Sequence, residues 1–375
     1  MVAAKPDNEP SVSVGLYTDG EPRISQSGKF HLLHNLQIGH GFHWQKCMEA
    51  ILPGKIKILD NPTEEGVTIV NILPAEEYLR CVAISEMSAT APVEFLKAHT
   101  VMARSWLMGT LHGNPASQTS GRFSEPNLLV DWDDTSSHSG FDVCSDDHCQ
   151  RYQGSQPLTP QAEEALESTR GIVLVDTNGN IADARYSKCC GGTTELFSTC
   201  WQDEDPGYLE SFKDPYCDLS QMSDKERDDL LATVLRDYDR NPEPFGMWKT
   251  RILKKEITEN LRRKFGRDIG EVTAVSVSKR GLSGRASMLS INGTKGNLRL
   301  GKELMIRRLL SSSHLYSSLF TLDDCEDYVS ITGRGWGHGV GMCQIGAARM
   351  ARDGAGFREI LSFYYPSTTL NRLYQ

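Results

Sequence analysis

Three small groups of residues in this chain have types and spacings that could do chemistry. The first is a single carboxylate, Glu86, inside the stretch LPAEEYLRCVAISEMSATAPVEFLKAHTVMARSWLMGTLHG from Leu73 to Gly113. Leu79, Val82, Ala83 and Glu86 recur at helical spacing and share one face, which puts a carboxyl group on an apolar stripe. Apolar surroundings disfavour the charged form of a carboxylic acid, the condition a general acid needs near neutral pH. A Glu in the last turn of a helix can equally be solvated or paired with a nearby cation such as Arg104.

The second group lies near the C-terminus, where GRGWGHGVGMCQIG holds six glycines between Gly333 and Gly346. It has neither the spacing of a dinucleotide-binding turn nor that of a P-loop. Trp336 and His338 are the large side chains at its centre. An aromatic face suits a sugar ring, and a histidine can bond hydroxyls or take a proton. Alternating glycines would expose backbone amides and leave room for a bulky ligand. The third group is His138, Cys144, His148 and Cys149, two imidazoles and two thiols within twelve residues. Zinc takes four such ligands in a tetrahedron, and a filled set leaves no position for a catalytic water. The same spacing admits a Cys144–Cys149 disulfide with solvated histidines. GHGFHWQKC, with His40, His43 and Cys47, lacks a fourth ligand and reads as a strand and turn.

Helices and strands that position these groups are visible along the rest of the chain. Residues 10–72 alternate short apolar runs with Gly, Pro and Asn, the pattern of β-strands. Pro74 suits a first helical turn, with Glu76 and Glu77 at the positive end of the helix dipole. Ser88-Ala89-Thr90 breaks that helix and Pro92 restarts one. Its inner stripe is Val93, Leu96, Thr100, Ala103, Leu107 and Leu111, with Gly113 as the stop. Residues 114–160 show no period and read as a long loop. A short helix over 160–170 ends at Gly171. IVLVDTNGNIADARYS follows as a hairpin whose Asn178-Gly179 pair signals a type I′ turn. It delivers the chain to Lys188 and to Gly191, Gly192 and Thr193, where glycines permit close backbone approach to a partner. Residues 222–320 read as helices of mixed charge (SDKERDDLLATVLRDY, KKEITENLRRKFG, KELMIRRLL) with strands, one hairpin turning at Asn292-Gly293. The fold class is α+β: a mixed, β-rich core with a helical catalytic segment and a smaller inserted domain. The expected division is an N-terminal β-rich region at 1–70, a core of 71–221 with 321–375, and an inserted α+β domain at 222–320.

Composition bounds the function. The 375 residues are 39% hydrophobic and 24% charged, values of a globular protein. The net charge of −9 leaves no basic surplus for phosphates, so nucleic acid is not an expected partner. No apolar run is long enough to span a bilayer. Ten cysteines are many for a cytosolic enzyme. Disulfides are open to Cys47, Cys81, Cys189, Cys190, Cys200, Cys217, Cys325 and Cys343, in pairings that spacing does not decide.

YLRCVAISEMSATAPVEFLKAHTVMARSW resembles the signature of the SpoIID/LytB family, the sporulation lytic transglycosylases and amidase enhancers. ITGRGWGHGVGMCQIGAARMARDGAGFREILSFYYP (Ile331 to Pro366) is similar to its C-terminal block, and YSKCCGGTTELFSTCWQDEDPGYLESFKDPYC (Tyr186 to Cys217) to its middle. FHWQK and SEMSAT suggest a Bacteroides-type member. The blocks keep the family's order. The chain departs from the family at His99, often Gln, and at Cys343, often Ser.

The resemblance implies a peptidoglycan lytic transglycosylase that cleaves N-acetylmuramic acid–N-acetylglucosamine strands, preferably denuded ones, and leaves a 1,6-anhydro end. Glu86 would be the only acid required. Arg104 would orient it or bind substrate, and Trp336, His338 and Gln344 would contact glycan. Gly191, Gly192 and Thr193 would form a groove wall beside Glu86. Family members similar over 138–149 carry zinc there, which favours a structural zinc on His138, Cys144, His148 and Cys149; the chemistry itself requires no cofactor. The location implied is extracytoplasmic, with a signal or lipoprotein leader removed ahead of Val2, and a cell-wall amidase is a candidate partner. The rival reading is a non-catalytic peptidoglycan-binding module that enhances an amidase. A zinc hydrolase is disfavoured, since no H-E-x-x-H helix is present.

Overall fold

The computed structural model describes residues 9–40, 45–60, 62–63, 66–112, 120–132, 138–236, 239 and 246–375. His43 and Gly113 lie outside the described residues. Among those described are eight α-helices: α1 (Ala75–Glu86), α2 (Val93–Leu111), α3 (Pro160–Ser168), α4 (Asp224–Val234), α5 (Lys254–Phe265), α6 (Glu303–Leu309), α7 (Gln344–Arg352) and α8 (Phe357–Tyr364). Strands are short and spread over six sheets, so the architecture is mixed α+β, as expected.

Pro74 stands just before α1 with extended backbone (φ −60°, ψ 148°), and Pro92 does the same for α2. Proline suits helix starts because the N–H it lacks would have had no intrahelical partner. The predicted inner stripe of α2 is too narrow. From Phe95 to Thr110 every residue but Lys97 is buried. Phe95, Leu96, Val101 and Met102 enter a core shared with α7 and α8. Ala103, Trp106, Leu107 and Met108 enter a second core under the N-terminal strands. A helix that is packed on all sides between two cores shows no clean polar face.

The first strand pairs with elements far along the chain. Ser11–Leu16 pairs antiparallel with Ile69–Pro74, which runs straight into α1. On its other edge Ser11–Leu16 pairs parallel with Val143–Cys144, so Gly15 faces Cys144. This edge brings the cysteine-rich segment to the sheet that feeds α1.

A third unit has its own apolar core, which runs from Trp248 to Ile331 and includes Leu129. Helix α4 docks elsewhere, placing Leu230 and Val234 in the core with α7. Part of the expected long loop is a hairpin, Gly121–Glu125 with Leu128–Trp132. It joins the unit's five-stranded sheet by parallel pairing to Gly296–Gly301. Within 172–187 the expected hairpin shrinks to one bridge, Val175 to Ile181. Ile172–Val175 pairs instead with the C-terminal strand Thr369–Arg372. Gly179 alone takes positive φ, so the turn is not type I′, which needs both central residues there. The later hairpin turns at Thr294-Lys295, since Gly293 still pairs with Gly296. Among the described residues no helix is long and apolar enough to cross a membrane.

Candidate active site

Helix α1 ends at Glu86, which is 5% exposed and lines a cavity of about 770 Å³. The surroundings are less apolar than the helix face suggested. Its Oε1 accepts the backbone N–H of Arg151 at 2.9 Å and the hydroxyl of Tyr186 at 2.7 Å. Its own carbonyl accepts from Lys188 Nζ at 2.8 Å. Around it lies a buried network of charges. Arg151 pairs with Asp147 and, at 2.9 Å and 3.0 Å, with both oxygens of Asp239. Lys188 approaches Asp239 at 3.2 Å. These two acids and two bases balance one another without Glu86.

The phenol of Tyr186 stays protonated, because burial and the adjacent Glu86 push its pKa well up. Its ring meets the edge of His99 at 5.5 Å. His99 is fully buried, and burial with the nearby Lys188 charge takes its pKa down to about 3, so it is neutral. Its Nε2 lies 3.0 Å from the amide nitrogen of Gln344, the first residue of α7. Met342–Cys343 pairs parallel with Tyr186–Ser187, which draws the C-terminal block onto the segment that holds Glu86.

Trp336, His338 and Gln344 line the same cavity as Glu86. The glycines around them do a different job from the one expected. Gly335, Gly337, Gly339 and Gly341 all have positive φ. A Cβ on Gly339 would meet the Arg285 guanidinium at 2.4 Å, and one on Gly341 the Arg185 carbonyl oxygen at 2.0 Å. Alternation therefore serves a left-handed backbone packed against the protein's own arginines rather than space for a ligand. His338 is held neutral: burial, then Arg185, Arg285 and Arg307, push its pKa well below the ordinary value. Its Nδ1 accepts the Val340 N–H at 3.0 Å, which assigns the proton to Nε2. Trp201 stands edge-on to His338 at 4.9 Å and also lines the cavity, as do Trp132 and Arg308.

Two expected placements are corrected. Arg104 does not approach Glu86. It is wholly buried and forms a two-pronged pair with Glu76 at 2.7 Å and 2.8 Å, while bonding the carbonyls of Thr169 and Ile172. Glu76 is correspondingly no mere helix-turn charge. Burial pushes its pKa up, but Arg104, the Tyr374 hydroxyl and the Gly171 N–H outweigh that and leave it lowered. Arg104 lies eighteen positions after Glu86, too far along a broken helix pair for spacing to pair them. Gly191, Gly192 and Thr193 line a second cavity, not the one containing Glu86. The wall beside Glu86 comes from Tyr186, Ser187 and Lys188, just upstream.

His138, Cys144, His148 and Cys149 do come together, and all their ligand atoms lie within 4.8 Å of one another. His138 Nε2 is 3.1 Å from Cys149 Sγ, and His148 Nδ1 is 3.5 Å and 3.9 Å from Cys149 and Cys144 Sγ. Zinc bonds of roughly 2.0–2.3 Å in a tetrahedron require ligand separations of about 3.3–3.8 Å, and these distances of 3.1 Å, 3.5 Å and 3.9 Å lie close to that range. No disulfide joins Cys144 to Cys149. His138, His148 and Cys149 line the Glu86 cavity, and Arg151 follows Cys149 by two residues.

Sequence reasoning missed Arg151, Tyr186, Lys188, Asp147 and Asp239. Only Lys188 carried a signal, its place before the paired glycines. Asp239 lies one residue beyond the stretch expected to be helical and past the end of α4.

A stage II sporulation protein (SpoIID) family model matches residues 63–175, and a domain of unknown function (DUF8618) matches residues 195–341. An uncharacterised protein of Brachyspira hyodysenteriae is 27% identical over 304 residues, 81% of this chain and 68% of its own length. Stage II sporulation protein D of Bacillus subtilis is 27% identical over 302 residues, 80% of this chain and 76% of its own. The amidase enhancer of Bacillus subtilis is 27% identical over 321 residues, 78% of this chain but 40% of the enhancer. Residues 63–175, which carry Glu86 and both helices around it, thus form a SpoIID-family domain in a chain related over most of its length to stage II sporulation protein D and the amidase enhancer.

Proposed function

We propose that this protein is a lytic transglycosylase that cleaves peptidoglycan glycan strands in the cell envelope, with Glu86 as general acid and then base. The observation that carries the reading is Glu86 itself: a buried carboxyl group facing a cavity, beside a charge network already balanced without it. In its protonated form it gives a proton to the oxygen that bridges N-acetylmuramic acid and N-acetylglucosamine. As the bond from the anomeric carbon to that oxygen breaks, the muramic C6 hydroxyl attacks the same carbon. The Glu86 carboxylate takes the hydroxyl's proton, and a 1,6-anhydro ring remains. Water does not enter, so the second carboxylate of ordinary glycosidases is not needed.

The remaining side chains bind and orient. Tyr186 and the Arg151 N–H fix Glu86 Oε1 and leave Oε2 to face the substrate. His338, Trp201, Trp132 and Trp336 line the cavity in which the sugar rings would lie. His138, Cys144, His148 and Cys149 would hold a structural zinc. Bound there it would supply no chemistry to the reaction; these residues would instead clamp the segment that presents Arg151.

Incubation with purified glycan strands stripped of stem peptides tests the reading by mass spectrometry. Anhydro-ended products are expected, and Glu86→Gln should reduce their formation by about 10²–10⁴-fold while strands still bind. Equal cleavage by Glu86→Gln would refute the role. The likeness to the amidase enhancer favours one second reading, a glycan-binding protein that stimulates a cell-wall amidase. It predicts binding without products from the wild type and faster release of stem peptides when an amidase is added.

A further inference from the structure

We propose a second metal site, for zinc or a similarly thiophilic ion, formed by Cys190, Asp214, Cys217 and Cys343. One ligand atom from each lies within 4.8 Å of every other. Asp214 is 1% exposed, Cys190 and Cys343 are 0% and Cys217 is 7%. The residues come from three separate segments: the turn after Tyr186–Ser187, the turn before α4, and the residue that caps α7. Cys190 Sγ lies 3.4 Å from Asp214 Oδ2. Asp214 and Cys217 also line the second cavity, of about 1200 Å³, which gives an ion a way in.

Three features favour an ion over a disulfide. The first is the carboxylate. Asp214 accepts from the Tyr364 hydroxyl at 2.9 Å and from the N–H groups of Tyr216 and Cys217 at 2.9 Å and 3.1 Å. No described lysine or arginine pairs with it, and a buried carboxylate without a cation is costly. The second is the donor count. A disulfide among these thiols leaves the carboxylate buried beside it, whereas one ion takes all four donors. The third is how the sulfurs are held. Cys343 Sγ accepts the N–H of Cys190 at 3.3 Å and of Gly346 at 3.4 Å, bonds of the kind that orient ligating groups. Three sulfurs with one oxygen select a soft ion over magnesium or calcium. Cys189 Sγ, 3.3 Å from Cys217 Sγ, lies beside the set. Cys343 precedes Gln344, and Cys190 follows Lys188 by two residues. An ion here would tie two walls of the Glu86 cavity together from behind.

The test is metal content per chain, by plasma mass spectrometry, on the purified full chain and its variants. Asp214→Asn and Cys217→Ser should each lose one equivalent. Cys144→Ser, which touches only the other cluster, should leave this equivalent in place, so the two sites are counted separately. Cys343→Ser keeps an oxygen to cap α7; it should retain native circular dichroism and release its metal to a chromogenic chelator with affinity lowered at least about tenfold. After replacement of zinc by cobalt, the thiolate-to-cobalt absorption should weaken in Cys217→Ser. Metal content unchanged by Asp214→Asn and Cys217→Ser would overturn the proposal. So would an unreduced wild-type mass lighter by two hydrogens that is restored in Cys217→Ser, since that reports a disulfide.

Discussion

Replacing His99 by Gln should remove part of the protein's sensitivity to acid. His99 is wholly buried, and burial with Lys188 takes its pKa from 6.5 to about 3. In the unfolded chain it takes up a proton near pH 6.5. Between those values the unfolded state binds more protons, so the contribution to stability is complete above about 6.5 and is lost as the pH falls toward 3. One such group changes stability by ~1.4 kcal/mol per pH unit. Going from pH 7 to pH 5 therefore removes roughly 2 kcal/mol through His99 alone. His338, also held neutral, acts in the same sense but is unchanged in the variant, so the comparison isolates His99. Glutamine keeps an amide to meet Gln344 and cannot titrate. Urea unfolding followed by tryptophan fluorescence at the two pH values is the assay. Wild type should lose about 2 kcal/mol more than His99→Gln between them. Equal losses would refute the claim that this histidine is buried and neutral behind the site.

Tyr186→Phe removes one of two donors to Glu86 Oε1. A hydrogen bond to a group that becomes charged is worth about 1.5–3 kcal/mol, so kcat for strand cleavage should fall roughly 10–100-fold with little change in melting temperature. Glu76→Gln strands the Arg104 guanidinium in the core, and equilibrium unfolding should show a loss of about 3–5 kcal/mol. In wild type the lowered Glu76 pKa makes its contribution complete above about pH 4.5 and lost as the pH falls below that. Because Arg104 lies away from the cavity, glycan binding by whatever Glu76→Gln protein remains folded should be unaltered. Treatment with a strong chelator should loosen the 138–149 segment and, through Arg151, lower strand cleavage; added zinc should restore it. Hydrogen exchange at the amides of 143–151 would report the loosening, and unchanged exchange would count against the clamp.

Much of the local structure was legible in short-range pattern. The α1–α2 pair, the place of Glu86 on an apolar helix face, the α+β class and the His/Cys set all follow from periodicity, proline placement or ligand spacing within a few residues. What failed was partner choice. Arg104 was matched to the nearest interesting carboxylate, yet its partner is Glu76, and Gly191 to Thr193 face a different cavity from Glu86. The glycine alternation was visible, but its reason, arginines packed against a left-handed backbone, was not. Arg151, Lys188 and Asp239 meet around Glu86 from segments 37 to 88 residues apart, and Cys190 meets Cys343 across 153. Periodicity reports which face of one element is buried, because that depends on neighbours a turn away. Which charges and thiols share an interior depends on how distant elements dock, and only the folded chain decides that.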